Sequence, residues 1–351
     1  MVSKIVFWMH AYNAEKTIGR AIGSILNQTA QDFTFYCLDN GSTDDTGRII
    51  QYYAARDSRI IPLFEKENIQ PGVVKAYLPM VLSEGDDGYY ARLDADDEYR
   101  PDFLEKMLAF VTQNNLDIAI CGTEYMYTDG NSRLDTPSES LILEGTGFAK
   151  HLPKYFKYVT RIWGGLYSLK LLEKMEFPSQ LQDKSASFYD VMCALRGLRN
   201  AHKAGILAES LHKYHSSPNQ LSVVYSPNWF FWINEMQRQT REFLLSYEPV
   251  SEANECFLNI RFLVWMKYVL PRLQSSDAIL KTKINDHISI FQDERTKKWL
   301  QLDWKKIGIT TNKNDFIQEN LAWISEQQLE CGEVREAANN LISLLKNLLA
   351  E

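Results

Sequence analysis

The first 125 residues alternate short apolar runs with segments of helical period, and that alternation is the tightest constraint on the fold. Ile5–Met9, Phe33–Leu38, Ile60–Phe64, the run at Tyr89 and Asp117–Cys121 have strand length and strand composition. An unbroken run such as Ile5–Met9 suits a strand covered on both faces. Between the first two runs, Ile18, Ala21, Ile22, Ile25 and Leu26 fall on one helix face, with Asn13 expected as its N-cap. Between the second and third, Ile49, Ile50, Tyr53 and Ala54 repeat the pattern. Thr43 is the expected cap there, and Asp44 and Asp45 suit the positive end of that helix. Strand and helix in strict alternation give βαβ units and a parallel sheet. Ligands of such sheets sit beyond the carboxyl ends of the strands.

Three of those ends are polar: Ala11-Tyr12-Asn13, Asp39-Asn40-Gly41-Ser42, and Arg92 through Asp97. In the third, an apolar strand runs straight into Asp94, Asp96 and Asp97, and Pro101 marks the start of the next helix. Crowded carboxylates repel one another unless a positive charge sits between them. A divalent cation meets that need, and an all-oxygen ligand set favours Mg²⁺ or Mn²⁺ over zinc. Such a cation is suited to holding a diphosphate. The plainer alternative is a solvated acidic turn that caps the following helix. Neither GxGxxG nor GxxxxGK[ST] occurs, so dinucleotide and P-loop readings have no support.

At 351 residues, 45% hydrophobic and 24% charged, the chain is long enough for one large domain and a smaller one. A formal net charge of -7 argues against nucleic acid as partner, because phosphate backbones need clustered Lys and Arg. Cys37, Cys121, Cys193, Cys256 and Cys331 are odd in number, far apart and without a CxxC pair. Buried free thiols in a reducing compartment are expected, not zinc. The N-terminus enters a strand pattern directly and no apolar run has transmembrane length, so a cytoplasmic protein is expected.

Taken together, Tyr12-Asn13, Glu15, Ser24-Ile25-Leu26-Asn27-Gln28-Thr29, Asp39-Asn40-Gly41-Ser42-Thr43-Asp44 and Ala91-Arg92-Leu93-Asp94-Ala95-Asp96-Asp97 resemble glycosyltransferase family 2 in order and spacing. These are inverting enzymes of the GT-A fold, a Rossmann-like α/β fold whose mostly parallel central sheet is flanked by helices. The resemblance covers roughly the first two-thirds of the chain. It departs at His10-Ala11, where the family more often has Pro and a small hydroxyl residue, and at Asn40, where it has a second Asp. The resemblance implies a UDP-sugar donor. Asp39 would accept from uracil N3–H, and the Ala11-Tyr12 backbone, with Asn13, would line the base or ribose. Asn68 and Lys75 would stand near the nucleotide, and Arg92 would orient it. Asp94, with Ala95 beside it, would reach the ribose and the metal. Asp96 would hold Mn²⁺ or Mg²⁺, which in turn stabilises the departing diphosphate.

An inverting transfer needs a carboxylate to take the acceptor hydroxyl's proton. By the same resemblance that base is Asp190, in Ser187-Phe188-Tyr189-Asp190-Val191, where Tyr189 replaces the family's Glu. The acceptor side would be Trp163, Gly164 and Gly165. Trp163 offers a stacking face, and the two glycines would allow close approach of a sugar. Leu211-His212-Lys213-Tyr214-His215 resembles the closing strand of the core, with His215, or else His212, as a third metal contact. Residues 216–222 would form a closing loop.

After a GT-A domain at 1–226, the pattern at 227–351 turns helical, with expected helices over 229–246, 252–270, 315–330 and 333–349. Six of the eight tryptophans lie there. A Trp-containing helical bundle is the plain reading. The sharper one is acceptor recruitment, or a homo-oligomer through the stripe Leu341, Leu344, Leu345, Leu348 and Leu349. Peripheral membrane contact through Trp229-Phe230-Phe231-Trp232 lacks an accompanying basic cluster. Helical additions of this kind occur in transferases that glycosylate bacterial adhesins. The expected activity is transfer of a hexose, glucose or galactose, to a hydroxyl of a glycan or glycoprotein acceptor, including one on a bacterial surface. The rivals are a non-catalytic sugar-nucleotide or glycan-binding module and a nucleotidyltransferase. The first has no reason to keep Asp94, Asp96 and Asp190 together. The second needs a Gly-rich basic loop after the first strand, where the chain has His10-Ala11-Tyr12-Asn13-Ala14-Glu15.

Overall fold

The computed structural model describes residues 4–69, 73–83, 87–175, 189–217, 229–302, 304, 312–327 and 332–350, without the side chains of 73–75, 173, 189 and 263. The chain forms two compact units. One is Met1–Pro218 with Glu242–Pro249, and the other is Asn219–Arg241 with Val250–Glu351.

The first unit is built on β1 (Lys4–Ala11), β2 (Thr34–Asn40), β3 (Ile60–Glu65), β4 (Gly88–Arg92), β5 (Glu98–Tyr99), β6 (Ile118–Met126), β7 (Ser132–Asp135), β8 (Leu141–Glu144), β9 (Gly165–Ser168) and β10 (Lys203–His215). Their order is β3-β2-β1-β4-β9-β6-β10-β5, with β7 on β6 and β8 on β10. The first four strands are parallel, as the sequence pattern expects. Beyond them the sheet is mixed: β9 runs antiparallel between β4 and β6, and β6 and β10 are parallel again.

The helices of this unit are α1 (Ile18–Leu26), α2 (Thr46–Ala54), α3 (Val73–Leu82), α4 (Phe103–Asn114), α5 (Gly147–Lys150), α6 (Leu152–Val159), α7 (Leu169–Lys174) and α8 (Tyr189–Asn200). Ile5, Phe7 and Met9 of β1 pack with Ile18, Ile22 and Ile25 of α1 and with Phe103, Leu104 and Met107 of α4 in one buried core. Trp8, on the opposite face, meets Tyr77 of α3 at 5.6 Å. Burial on both faces is why Ile5–Met9 shows no polar alternation.

Two helices begin later than their expected caps. α1 starts at Ile18, and Asn13 instead adopts φ +50. α2 starts at Thr46, because the Thr43 amide and hydroxyl donate to Asn13 Oδ1 (2.9 and 3.3 Å) rather than capping. Cys37, Cys121 and Cys193 are buried free thiols, whereas Cys256 is exposed. Cys331 lies outside the described residues.

The second unit takes the first thirteen residues of α9 (Trp229–Leu245), then α10 (Glu252–Ser275), α11 (Leu280–Gln292), α12 (Glu294–Leu300), α13 (Lys313–Ser325) and α14 (Gly332–Ala350). Ser251, Asp293 and Asn312 cap α10, α12 and α13 by accepting from the Asn254, Arg295 and Asp315 amides. Trp229, Trp299 and Trp304 are buried, and Trp304 Nε1 donates to Trp299 O at 3.1 Å. Leu341, Leu345 and Leu348 are buried where α14 packs on α11 and α13. Three leucines of the stripe are therefore covered by the chain's own helices, and Leu344 and Leu349 stay half-buried. Among the described residues no helix is long and apolar enough to cross a membrane.

His287 of α11 is fully buried in this unit. Its Nδ1 donates to Lys283 O (2.7 Å), leaving Nε2 to accept from Gln274 (3.2 Å), and its ring stacks on Trp323 at 4.4 Å. Burial pushes its pKa down to about 4. The folded state thus holds a neutral imidazole that the unfolded chain protonates near pH 6.5. The stabilisation is complete above pH 6.5 and is lost as pH falls towards 4, by about 3 kcal/mol from this residue. Melting curves of wild type and His287→Phe across pH 7.5 to 4.5 test this. The Phe variant is expected to show the shallower decline, and parallel curves would contradict the assignment.

Candidate active site

The parallel register brings the polar ends of β1, β2 and β4 to one edge. Ala11 pairs with Asp39, and Trp8 pairs with Arg92. The loop after β1 is clamped to the loop after β2 by backbone amides. Asn13 N donates to Ser42 Oγ (2.9 Å), Ala14 N to Thr46 Oγ1 (2.8 Å) and Glu15 N to Asp44 Oδ2 (3.1 Å). The Asp45 amide returns to Glu15 Oε2 (3.2 Å). Asn13 therefore spends its side chain holding Thr43, next to Tyr12, which is 45% exposed. Asp39 Oδ1 accepts from Ser42 N at 2.9 Å, and its other oxygen lies where a Cβ on residue 47 would collide, so Gly47 is needed there.

Asn40 explains its own departure from the family pattern. Its amide donates to Asn68 Oδ1 (3.0 Å) and its carbonyl accepts from Ile69 N (3.2 Å), which ties the loop after β3 to the end of β2. An ionised Asp has no donor for the first bond. Gly41, at φ +78, fits against the Glu67–Asn68 backbone where a Cβ would clash. The Lys75 side chain lies outside the described residues.

At the centre is Arg92, 7% exposed. Its Nη2 and Nε reach Asp94 Oδ1 (2.9 and 3.2 Å), and its Nη1 reaches Asp190 Oδ1 at 3.1 Å in the first turn of α8. The Arg92 guanidinium thus joins its near neighbour Asp94 to a carboxylate 98 positions further along the chain than itself. Burial works against both carboxylates. At Asp94 the charge and the hydrogen bonds of Arg92 overcome it and hold the group below the ordinary range. At Asp190 burial, reinforced by Asp94, prevails over Arg92 and raises the group. The two carboxylates are pushed apart, one towards permanent charge and one towards basicity. His10, beside Arg92 and Asp94, is held neutral with its pKa down to about 4 by burial and by Arg92.

Asp97 is fully buried. Its Oδ1 accepts from His215 N (2.9 Å), and His212 Nε2 lies 3.2 Å from its Oδ2, off the line of a hydrogen bond. Burial, then Asp94 and Asp96, raise its carboxyl well above the usual range. Among the described residues no three His, Cys, Asp or Glu side chains form a ligand cage. Magnesium-type ions need only one or two carboxylates plus substrate phosphates, and Asp94 and Asp96 fit that requirement. His215 is directed elsewhere: its Nε2 meets Glu98 Oε1 at 2.7 Å, and Glu98 also pairs with Arg20 (3.3 Å). To ligate a cation, His215 must use Nδ1 or release Glu98.

On the other side of Arg92, Trp163 forms a backbone bridge with it. The Trp163 ring stacks on His212 at 4.6 Å. Gly164 has φ +71, which favours glycine. Gly165 is needed for packing, since a Cβ there would press on Ile120 and on Ala119 O. Its place in β9, rather than a sugar's approach, accounts for it. The segment before Asp190, through Phe188, and residues 218–222 of the expected closing loop lie outside the described residues. Sequence reasoning passed over His10 as a mere departure and overlooked the Asp97–His212 pair. The signals were a third Asp at the strand end and a His in the closing strand.

Comparison with known proteins bears on the fold and the family. A model described as Glycosyl transferase family 2 matches residues 7–165. An uncharacterised glycosyltransferase of Methanocaldococcus jannaschii is 30% identical over 211 residues, 59% of this chain and 68% of the relative. The uncharacterised glycosyltransferase EpsJ of Bacillus subtilis is 24% identical over 279 residues, 78% of each chain. Residues 1–349 of S. aureus TarS superpose with a TM-score of 0.60 at 13% identity, over 99% of this chain and 90% of that one. The TarS complex with UDP-GlcNAc gives 0.56 at 16% identity, with the same coverage. The structural likeness carries the fold, a GT-A sheet followed by helices, and the sequence matches carry the family. The chain belongs to glycosyl transferase family 2.

Proposed function

We propose that the chain is an inverting glycosyltransferase that moves a hexose from a UDP-sugar to a hydroxyl of a glycan acceptor. The observation that carries this reading is Arg92, which joins Asp94 at the donor edge to Asp190 on the far side of the same guanidinium. Asp39 accepts from uracil N3–H, and Ala11, Tyr12 and Asn68 line the nucleoside. Asp190 takes the proton from the acceptor hydroxyl as that oxygen attacks the anomeric carbon. The bond from that carbon to the diphosphate oxygen breaks on the opposite face, which inverts the centre. Arg92 occupies Asp190 Oδ1 and leaves Oδ2 for the hydroxyl. Asp94 and Asp96 would hold a divalent ion, which would supply Lewis-acid charge at the leaving diphosphate. A relative of the same fold has been solved with UDP-GlcNAc, so N-acetylhexosamine donors belong beside glucose and galactose in any test.

Two experiments follow from these assignments. With a panel of UDP-, GDP- and dTDP-sugars, slow hydrolysis is expected for one UDP-sugar. It should be abolished by EDTA and by Asp96→Ala. Asp190→Asn should lower turnover by about 10²- to 10⁴-fold while UDP affinity changes little. Undiminished turnover in Asp190→Asn would remove it as the base.

The second concerns pH. Arg92 is what lowers Asp190 against burial and Asp94. Replacing it by Gln raises the Asp190 pKa, so the base is protonated at higher pH. The acid limb of kcat/KM should move upward by about 1 to 3 pH units. Arg92→Lys keeps the charge and should leave the limb near its wild-type position. An unmoved limb in Arg92→Gln would show that Asp190 is not the titrating base.

A further inference from the structure

Helix α1 carries a polar row along one edge. Arg20, Ser24 and Gln28 are spaced by four residues, so they follow one another down the helix and the turn that ends it. All three reach the segment that leaves the carboxylate turn after β4. Gln28 is 1% exposed. Its Nε2 donates to Arg100 O and its Oε1 accepts from Leu104 N, both at 2.8 Å. Ser24 Oγ accepts from Tyr99 N at 3.2 Å. One turn earlier, Arg20 Nη2 donates to Asp96 O, and its Nε meets Glu98 Oε1 at 3.3 Å. Beyond the row, Thr29 N donates to Pro101 O at 2.8 Å. Ser24 and Gln28 therefore hold the chain after the turn, whereas Arg20 grips the backbone of the turn at Asp96 itself. The turn is closed by Asp97 N, which donates to Asp94 O at 3.1 Å.

Taking the proposed metal-dependent transfer as given, we propose that Arg20 is a positioning residue for the divalent ion, setting the Asp96 carboxylate by holding the Asp96 carbonyl. Three arguments carry this. A peptide unit is rigid, so fixing the Asp96 carbonyl fixes ψ at Asp96 and with it the direction in which the side chain leaves. Groups that orient a metal ligand from behind contribute to ion affinity without touching the ion. The Arg20 side chain keeps 38% of its surface exposed, so water tempers its ion pair with Glu98 and the contact adds little to the stability of the fold. The role also has a distinctive sign. Charge alone sets a guanidinium against a cation bound nearby, so its loss would strengthen ion binding. Positioning predicts the reverse.

Ion binding, measured apart from turnover, tests this. Uptake of Mn²⁺ by the full chain with saturating UDP is read from the EPR signal of the free ion, for wild type, Arg20→Gln and Arg20→Lys. Melting curves confirm that each is folded, and calorimetry gives UDP affinity in EDTA. Arg20→Gln should weaken Mn²⁺ binding about 10-fold, while its metal-free UDP affinity stays near wild type. Arg20→Lys keeps a donor for the Asp96 carbonyl and should fall between the two. Unchanged or tighter Mn²⁺ binding in Arg20→Gln would overturn the role of Arg20, as would an equal loss of metal-free UDP binding. A wild type that binds UDP but takes up no Mn²⁺ would instead overturn the metal reading on which this role rests.

Discussion

A guanidinium buried at the end of β4 with a carboxylate on either side is the constraint on which the rest of the first unit turns. Taking Arg92 out of water is expensive, and the cost is offset only if its donors are satisfied. Asp94 and Asp190 satisfy them with three hydrogen bonds. The Asp94 and Asp190 side chains keep 27% and 33% of their surface exposed, so water tempers the set, but the first turn of α8 is still tied to the end of β4 through a guanidinium that is itself buried. The two acids are sorted by their surroundings: Arg92 holds Asp94 below the ordinary range, whereas at Asp190 burial and Asp94 prevail over Arg92 and raise the group. One interaction does structural and chemical work together, which explains why the strand reads Tyr-Tyr-Ala-Arg and not a purely apolar run.

Around that centre the loops are fixed by side chains that pair with one another. Asn13 holds Thr43, Asn40 holds Asn68 and Ile69, and Glu98 holds His215 and Arg20. Each spends its hydrogen-bonding capacity within the protein, and what it offers a ligand is the placement of its neighbours. Asn13 does so from a left-handed backbone conformation that Asn tolerates better than most residues. That edge of the sheet is therefore preorganised by contacts between loops.

Much of this was legible in the sequence. The five strands of the first 125 residues and both early helix faces lie where the apolar pattern puts them, because burial on two faces leaves an unambiguous record. The carboxylate cluster after β4 was legible for the same reason: charge beside an apolar strand demands compensation. What the sequence hid was pairing at a distance. Nothing local shows that Arg92 reaches Asp190 or that β9 inserts between β4 and β6. The caps misled because Asn13 and Thr43 satisfy each other instead of a helix end. Helices α11 and α12 went unread because the buried face of α11 carries His287 among Ile284, Ile290 and Phe291, which blunts the apolar stripe. The leucine stripe of α14 was correctly apolar, but its partners were α11 and α13.

The central claim is a single displacement in which Asp190, oriented by Arg92, is the only protein carboxylate that takes part in bond exchange at the acceptor. Proton NMR of the sugar released from a UDP-α-linked hexose, recorded before mutarotation, tests it without knowledge of the acceptor. The account predicts the β-anomer as the first product. Initial release of the α-anomer would mean two displacements or front-side departure, and would contradict the role given to Asp190.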